Sequence, residues 1–130
     1  ALGKAKKYVN ERQVWGQPIG AHQAIAHPLA TAHIEMELAR LMMQKAATLY
    51  DLGDDMGAGE AANMAKYASA EASVKAVDAA IQSHGGNGFA SEYGLAILLA
   101  SSRLSRVAPV SREMVLNFVA QHSLGLPKSY

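Results

Sequence analysis

The sequence predicts an all-α protein, an up-and-down four-helix bundle formed as a single domain over residues 1–130. Three observations carry that expectation. Half of the residues are apolar while only 6% are aromatic, and the apolar set is mostly Ala, Leu and Met, which favour helix over strand. Apolar positions recur at alternating steps of four and three over long stretches. Short glycine-containing turns separate those stretches, as they do between antiparallel neighbours in a bundle. A length of 130 residues is enough for one real core and too little for two domains.

The elements follow in order. The opening "ALGKAKKYVNERQ" reads as a helix with no cap residue ahead of it, so the chain is expected to be part of a longer protein. The next helix is predicted over residues 21–52. From Ile25, the positions Leu29, Ala32, Met36, Ala39, Met43, Ala46 and Tyr50 form one seam, expected to be buried. A second stripe of Ile34, Leu38, Leu41, Leu49 and Leu52 predicts burial on two sides, inside a bundle or against another subunit. Pro28 predicts either a kink or a helix start near His27. The turn "DLGDDMGAGE" closes this helix, with Gly53, Gly57 and Gly59 bracketing Asp54 and Asp55. An alanine-rich helix then runs over 60–84, its small side chains suited to close helix packing. Further helices are expected over 92–106 and, after a break at Pro109, over 111–124.

Charge and composition exclude several functions. A net charge of +1 with interspersed signs gives no electrostatic case for nucleic acid or an anionic membrane surface. The chain has no cysteine, so disulfides, thiolate metal sites and thiol nucleophiles are out, and a cytoplasmic location is expected. No apolar run is long enough to span a bilayer. No glutamate is followed three residues on by histidine, which removes the di-metal bundle signature. His22, His27 and His33 lack ligand spacing, His33 and Glu37 read as a surface pair, and no metal site is expected.

The stretch "AIQSHGGNGFASEYG" is the place to look for a ligand. Gly85, Gly86 and Gly88 end the alanine-rich helix, and a helix C-cap needs only one glycine. Bare main chain there, with the Gln82 amide one turn back, would let a large ligand lie against the backbone.

That stretch, preceded at this distance by "YVNERQVWGQPIGAHQAIAHPLA", resembles the C-terminal domain of the acyl-CoA dehydrogenase family. The family segments look like Y-x-x-x-R-x-x-F-G-x-P-I-x-x-x-Q and Q-x-x-G-G-x-G-[FY]-x-x-E-Y-P, and the likeness extends from Tyr8 to about Met114. The resemblance implies a flavoprotein of fatty acid metabolism that removes hydrogens from Cα and Cβ of an acyl-CoA thioester. It also implies FAD as cofactor, an electron-transfer flavoprotein as acceptor and a homo-oligomer, dimer or tetramer. Carried over by position, Arg12 meets the FAD pyrophosphate, and Val14 stands where the family often has threonine, with Trp15 at the aromatic position. His22 and Gln23 lie near the adenine end. Gln82, Gly85 and Gly86 lie on the adenosine diphosphate part across the subunit boundary, and Ser111 and Glu113 match the Thr and Glu/Gln that meet FAD.

One departure stands out against the family pattern Y-E-G-T-x-[EQ]-I, in which the glutamate is the base that takes the α-proton. Here the span reads "APVSREM", with Pro109 at the glutamate position and Val110 at the glycine position. Proline cannot hold a proton, so no catalytic residue is assigned within this chain and the base is expected upstream of Ala1. The family's Arg-Asp pair after E-Y-P is replaced by Ala100 and Ser101. The alternatives are a catalytically silent subunit and a helical oligomerisation module without ligand.

Overall fold

In the computed structural model, which describes residues 1–129, five helices run in chain order. They are α1 (Leu2–Glu11), α2 (Gln23–Asp51), α3 (Asp55–His84), α4 (Ala96–Leu104) and α5 (Arg112–His122). The all-α expectation holds. The small hairpin of β1 (Gln13–Val14) and β2 (Gln17–Pro18), antiparallel with Gln13 opposite Pro18, was not foreseen.

Alanine spacing decides how the two long helices pair. Ala32 and Ala39 on α2 are buried, as are Ala58, Ala61, Ala65, Ala72 and Ala76 on α3. With only methyl groups between them, the backbones can approach to the short end of the roughly 8–10 Å range for packed helices. The connection is tight: Gly53 N–H donates to Tyr50 O and Asp54 N–H to Leu49 O, each at 3.0 Å. The Asp54 carboxylate then accepts the Gly57 N–H at 2.9 Å, an N-cap of the kind worth about 1 kcal/mol. That cap corrects the expected start at residue 60, because α3 begins at Asp55 and Gly57 and Gly59 lie inside its first turns. Likewise α2 begins at Gln23 and continues through Pro28, with the His22 carbonyl accepting from Ile25 and Ala26 at 2.9 Å. The expected helix over 92–106 is shorter at both ends. Gly94, at φ +61°, closes a turn on the Ser91 carbonyl at 3.1 Å before α4 starts.

Around α3 the remaining elements find their places. Ala5 of α1 packs with Val77, Ala80 and Ile81 of α3 and with Leu95, which is fully buried ahead of α4. Ala1 packs against the same cluster while the Tyr8 ring stacks on His84 with centroids 4.1 Å apart, so α1 and α3 run in the same direction. Val115 anchors α5 at 1% exposure.

The expected buried seam on α2 holds only in part. Ala32 and Ala39 are buried and Leu29 is half-buried, but Met36 and Met43 are 43% and 56% exposed. Ile34, Leu38 and Leu41 on the second stripe are exposed too, while α3 covers the first stripe only at its alanines. Among the described residues no helix is long and apolar enough to cross a membrane, and no group of three or more His, Cys, Asp or Glu could hold a metal.

These burial differences set an expected ranking. Leu95→Ala should lower stability by about 2–5 kcal/mol, the range for emptying a fully buried leucine site, whereas Leu41→Ala should stay within about 0.5 kcal/mol as an exposed change. Urea denaturation midpoints of the two variants check it, and equal losses would contradict the packing described.

Candidate functional site

The Arg12 main chain ties α1 to the hairpin. Its N–H donates to Tyr8 O and its carbonyl accepts from Ile19 N–H, both at 2.8 Å. The hairpin reverses at Trp15 and Gly16, with φ +54° and +80°, the two positive values that a type I′ turn requires. Trp15 is 88% exposed and meets the His22 ring edge-on at 5.5 Å. The Arg12 side chain is exposed, with no hydrogen bond or ion pair to any described residue. His22 Nε2 is buried without a hydrogen-bond partner. Val14 is half-buried in β1, and Gln23 is exposed on the first turn of α2.

At the end of α3 the three glycines separate by what the chain itself demands of them. Gly85 terminates the helix at φ +58°, a conformation open to glycine and strained for other residues. Gly88 is a close-approach site, since a Cβ there would lie 2.7 Å from the Ile81 carbonyl oxygen. Gly86 has neither reason: its φ is not positive, and a Cβ would meet nothing within 4 Å. Gln82, Gly85 and Gly86 are all exposed.

A cavity of about 440 Å³ lies between α1 and this turn, bordered by Lys4, Lys7, Tyr8, Arg12, His84 and Asn87, with Glu11 and Glu92 at its edge. Its floor is built from aromatic rings. His84 is buried and its Nδ1–H donates to the Ala80 carbonyl at 2.7 Å, which fixes the ring against Tyr8 and edge-on to Tyr93. The Asn87 amide donates to Tyr8 Oη at 3.0 Å, and Lys4 Nζ donates to the Tyr93 carbonyl at 2.6 Å. Arg12 thereby lines the same cavity as His84 and Asn87, although they are far apart in sequence.

Ser111 and Glu113 lie elsewhere. Ser111 caps α5, its Oγ accepting the Met114 N–H at 3.3 Å. Glu113 is exposed, and its carboxyl is held below the usual carboxylate range, first by a hydrogen bond from its own main-chain amide and then by the Arg112 guanidinium. The segment entering α5 is clamped to the middle of α3. Arg106 donates to Glu71 through Nε at 2.9 Å and Nη2 at 2.6 Å, Arg112 approaches Glu71 at 3.7 Å, and Lys66 Nζ donates to the Val110 carbonyl. From Glu71 to Gln82 is about 16 Å along the helix at 1.5 Å per residue. Within one chain, then, Arg12 shares a cavity with His84 and Asn87 that flank the glycines, Gln82, Gly85 and Gly86 do not line it, and the α5 pair lies apart.

Residues 1–124 match the family model described as acyl-CoA dehydrogenase, C-terminal domain. The chain belongs to that family. Over its full length it is 71% identical to acyl-CoA dehydrogenase FadE12 of Mycobacterium tuberculosis, of which it covers 34%. The chain thus spans about a third of the length of that relative. The solved FAD complex of PigA superposes with a TM-score of 0.90 at 29% identity, over 96% of this chain and 32% of that one. Butyryl-CoA dehydrogenase from Megasphaera elsdenii superposes with a TM-score of 0.87 at 26% identity, over 96% of this chain and 32% of that one.

Sequence reasoning does not single out Arg106, His84, Asn87 or Glu71 in this acyl-CoA dehydrogenase domain. The contacts that tie Asn87 to Tyr8 and Glu71 to Arg106 span 79 and 35 positions, so no helical spacing could reveal them. The one local signal was a buried-length glutamate on an alanine-rich helix. Removing the clamp tests its role: Glu71→Ala leaves two half-buried guanidinium groups short of a partner, and should cost about 1–3 kcal/mol. Limited proteolysis of residues 105–111 should accelerate, and cleavage unchanged from wild type would show that Glu71 does not hold the segment.

Proposed function

We propose that this chain is the C-terminal, cofactor-contacting domain of a longer FAD-dependent acyl-CoA dehydrogenase. In the full-length protein it would contribute to a homo-oligomer, dimer or tetramer, acting on an acyl-CoA and delivering electrons to an electron-transfer flavoprotein. The observation that carries the reading is Gly86, a glycine that no backbone or packing demand among the described residues explains; an unpartnered Arg12 that lines a cavity with Asn87 of the same turn and a buried, unpaired His22 Nε2 at the start of α2 accompany it. An orphaned buried polar atom costs about 1–3 kcal/mol, and an external ligand that reaches it offsets that cost. A ligand-free oligomerisation module leaves all three features without a cause. The cysteine-free composition fits a reducing cytoplasm.

The residues present fit FAD. Arg12 would meet the pyrophosphate, as a permanent cation with several donors suits a phosphate anion. His22 and Gln23 would face the adenine end, and Val14 would pack without supplying a hydroxyl. The Gln82 amide and the bare main chain at Gly85 and Gly86 would lie along the adenosine diphosphate. Ser111 and Glu113, a helix middle away, would reach a second cofactor position, which suits a domain touching the FAD of its own and of a neighbouring subunit. Bound there, FAD supplies a hydride acceptor for the β-hydrogen of the acyl chain.

The α-proton needs a base, and residues 107–114 hold no side chain suited to it. Pro109 has no proton acceptor. Glu113 sits beside Arg112, ionised and exposed, and its place in the first turn of α5 suits a cofactor contact. The base therefore belongs to a part of the full-length enzyme outside this chain, and the isolated chain should bind FAD weakly and show no dehydrogenation.

Two substitutions in the full-length protein test this. Gly86→Ala should leave unfolding stability within about 0.5 kcal/mol while weakening FAD binding at least about tenfold, a change worth roughly 1.4 kcal/mol; flavin fluorescence titration reads it. Unaltered FAD affinity would remove the reason given for Gly86. Glu113→Gln should leave flavin bleaching by an acyl-CoA panel within a few-fold of wild type, and a loss of a thousandfold at full FAD occupancy would instead make Glu113 the base.

A further inference from the structure

Between the two expected cofactor contacts of α5 stands Arg112, at the x of the family pattern Y-E-G-T-x-[EQ]-I, a position that the pattern leaves open. Its guanidinium is engaged on two edges. Nε donates to Glu113 Oε1 at 3.2 Å, and Nη1 lies 3.7 Å from Glu71 Oε1 on α3. Its main chain is held as well, the Arg112 N–H donating to the Arg106 carbonyl at 2.9 Å.

Adjacent residues on a helix do not face each other, so helical spacing alone does not bring Arg112 to Glu113. The Nε edge lies close to the main chain and reaches the neighbouring carboxylate while the far end of the guanidinium is drawn to Glu71. Glu71 does not need that second cation. Arg106 already satisfies it, through Nε at 2.9 Å and Nη2 at 2.6 Å. Arg106 and Arg112 together bring two positive charges to one carboxylate, and the surplus charge faces Glu113. Arg103 also acts on Glu113, through charge alone.

We propose that Arg112 is a positioning residue for FAD, compensating the charge of Glu113 and fixing its carboxylate so that an anionic dinucleotide can lie against the first turn of α5. The inference rests on the reading of Glu113 as a cofactor contact. The family pattern accepts Glu or Gln at that place, two side chains of one shape and different charge. A bare carboxylate would repel the phosphates of FAD, whereas a paired one presents little net charge, as the amide does. In the open chain the pair is worth little, since the side chains of Arg112 and Glu113 are 41% and 69% exposed and water screens exposed charges. Under a bound cofactor the water leaves and the local dielectric falls, so both the repulsion from a bare Glu113 and its attraction to Arg112 grow. Arginine suits the task better than lysine, because a planar fork engages two carboxylates at once while an ammonium is a single point charge.

The competing assignment is a direct contact of the guanidinium with a phosphate, and the charge of residue 113 separates the two. A residue that acts through Glu113 matters only while that side chain is charged. A residue that touches the cofactor itself matters in either case.

The experiment is a double-substitution cycle in the full-length protein, in which the flavin-free enzyme is titrated with FAD and flavin fluorescence is followed. Arg112→Gln should weaken FAD binding at least about tenfold. In the Glu113→Gln background the same substitution should change it by less than about twofold, since the two positions then no longer interact. Equal losses in both backgrounds overturn the proposal, because they place Arg112 against the cofactor or in the fold rather than beside a charge. An Arg112→Gln protein that binds FAD as the wild type does overturns it too. Both of those outcomes leave the cofactor reading standing, whereas wild-type protein that takes up no FAD overturns the two together.

Discussion

The close pairing of α2 with α3 through alanine is the contact on which the rest of the molecule depends. Ala32 and Ala39 meet a helix whose Ala58, Ala61, Ala65, Ala72 and Ala76 are also buried. Each methyl removes little apolar surface from water, about 0.8 kcal/mol for a carbon group of that size, so stability comes from the number of such contacts along two helices of 29 and 30 residues. Because α3 carries buried alanine on more than one side, it sits at the centre of the fold and packs against α1, α2, α4 and α5. Larger side chains on α3 would push its neighbours outward and with them the residues that frame the candidate site.

That central position converts packing into chemistry at two places along one helix. At its C-terminal end the stack of Tyr8 on His84, with Asn87 hydrogen-bonded to Tyr8, forms the cavity that Arg12 also lines. At its middle, Glu71 gathers Arg106 and Arg112 and so fixes the start of α5. A helix is stiff over this length, so the two sets keep their separation. Exposed ion pairs are worth little, but Glu71 and Arg106 are only 18% and 23% exposed and their pairing is bidentate, the geometry in which a guanidinium and a carboxylate hold each other's orientation.

Much of this was legible in the sequence because it is periodic or local. The four-three repeat marked α2 and the alanines marked α3. The extent of α3 was misread because Gly57 and Gly59 look like a turn, yet the Asp54 carboxylate accepting from Gly57 N–H starts the helix before them. The hairpin escaped because two-residue strands have no periodicity, and its signal was only Trp15-Gly16 ahead of a proline. The glycine trio shows the limit most clearly. Sequence marked all three as one feature, whereas the structure assigns Gly85 to the helix end and Gly88 to the Ile81 carbonyl, and leaves Gly86 over. Only coordinates separate a glycine the fold needs from one that it does not.

The loop from Val107 to Val110 has been given over to structure. Val107 and Val110 are exposed apolar groups, and Pro109 fixes its own φ and cannot take a proton. Around them Lys66, Arg106 and Arg112 engage the Val110 carbonyl and the Glu71 carboxylate. A base placed here would face those cations, which favour the ionised carboxylate and lower its affinity for a proton. Efficient proton transfer needs a carboxylate whose pKa lies near the working pH, so the same cations that clamp α5 make this loop a poor host for a base. The obstacle to a base in this loop is therefore electrostatic as well as a matter of the identity of residue 109.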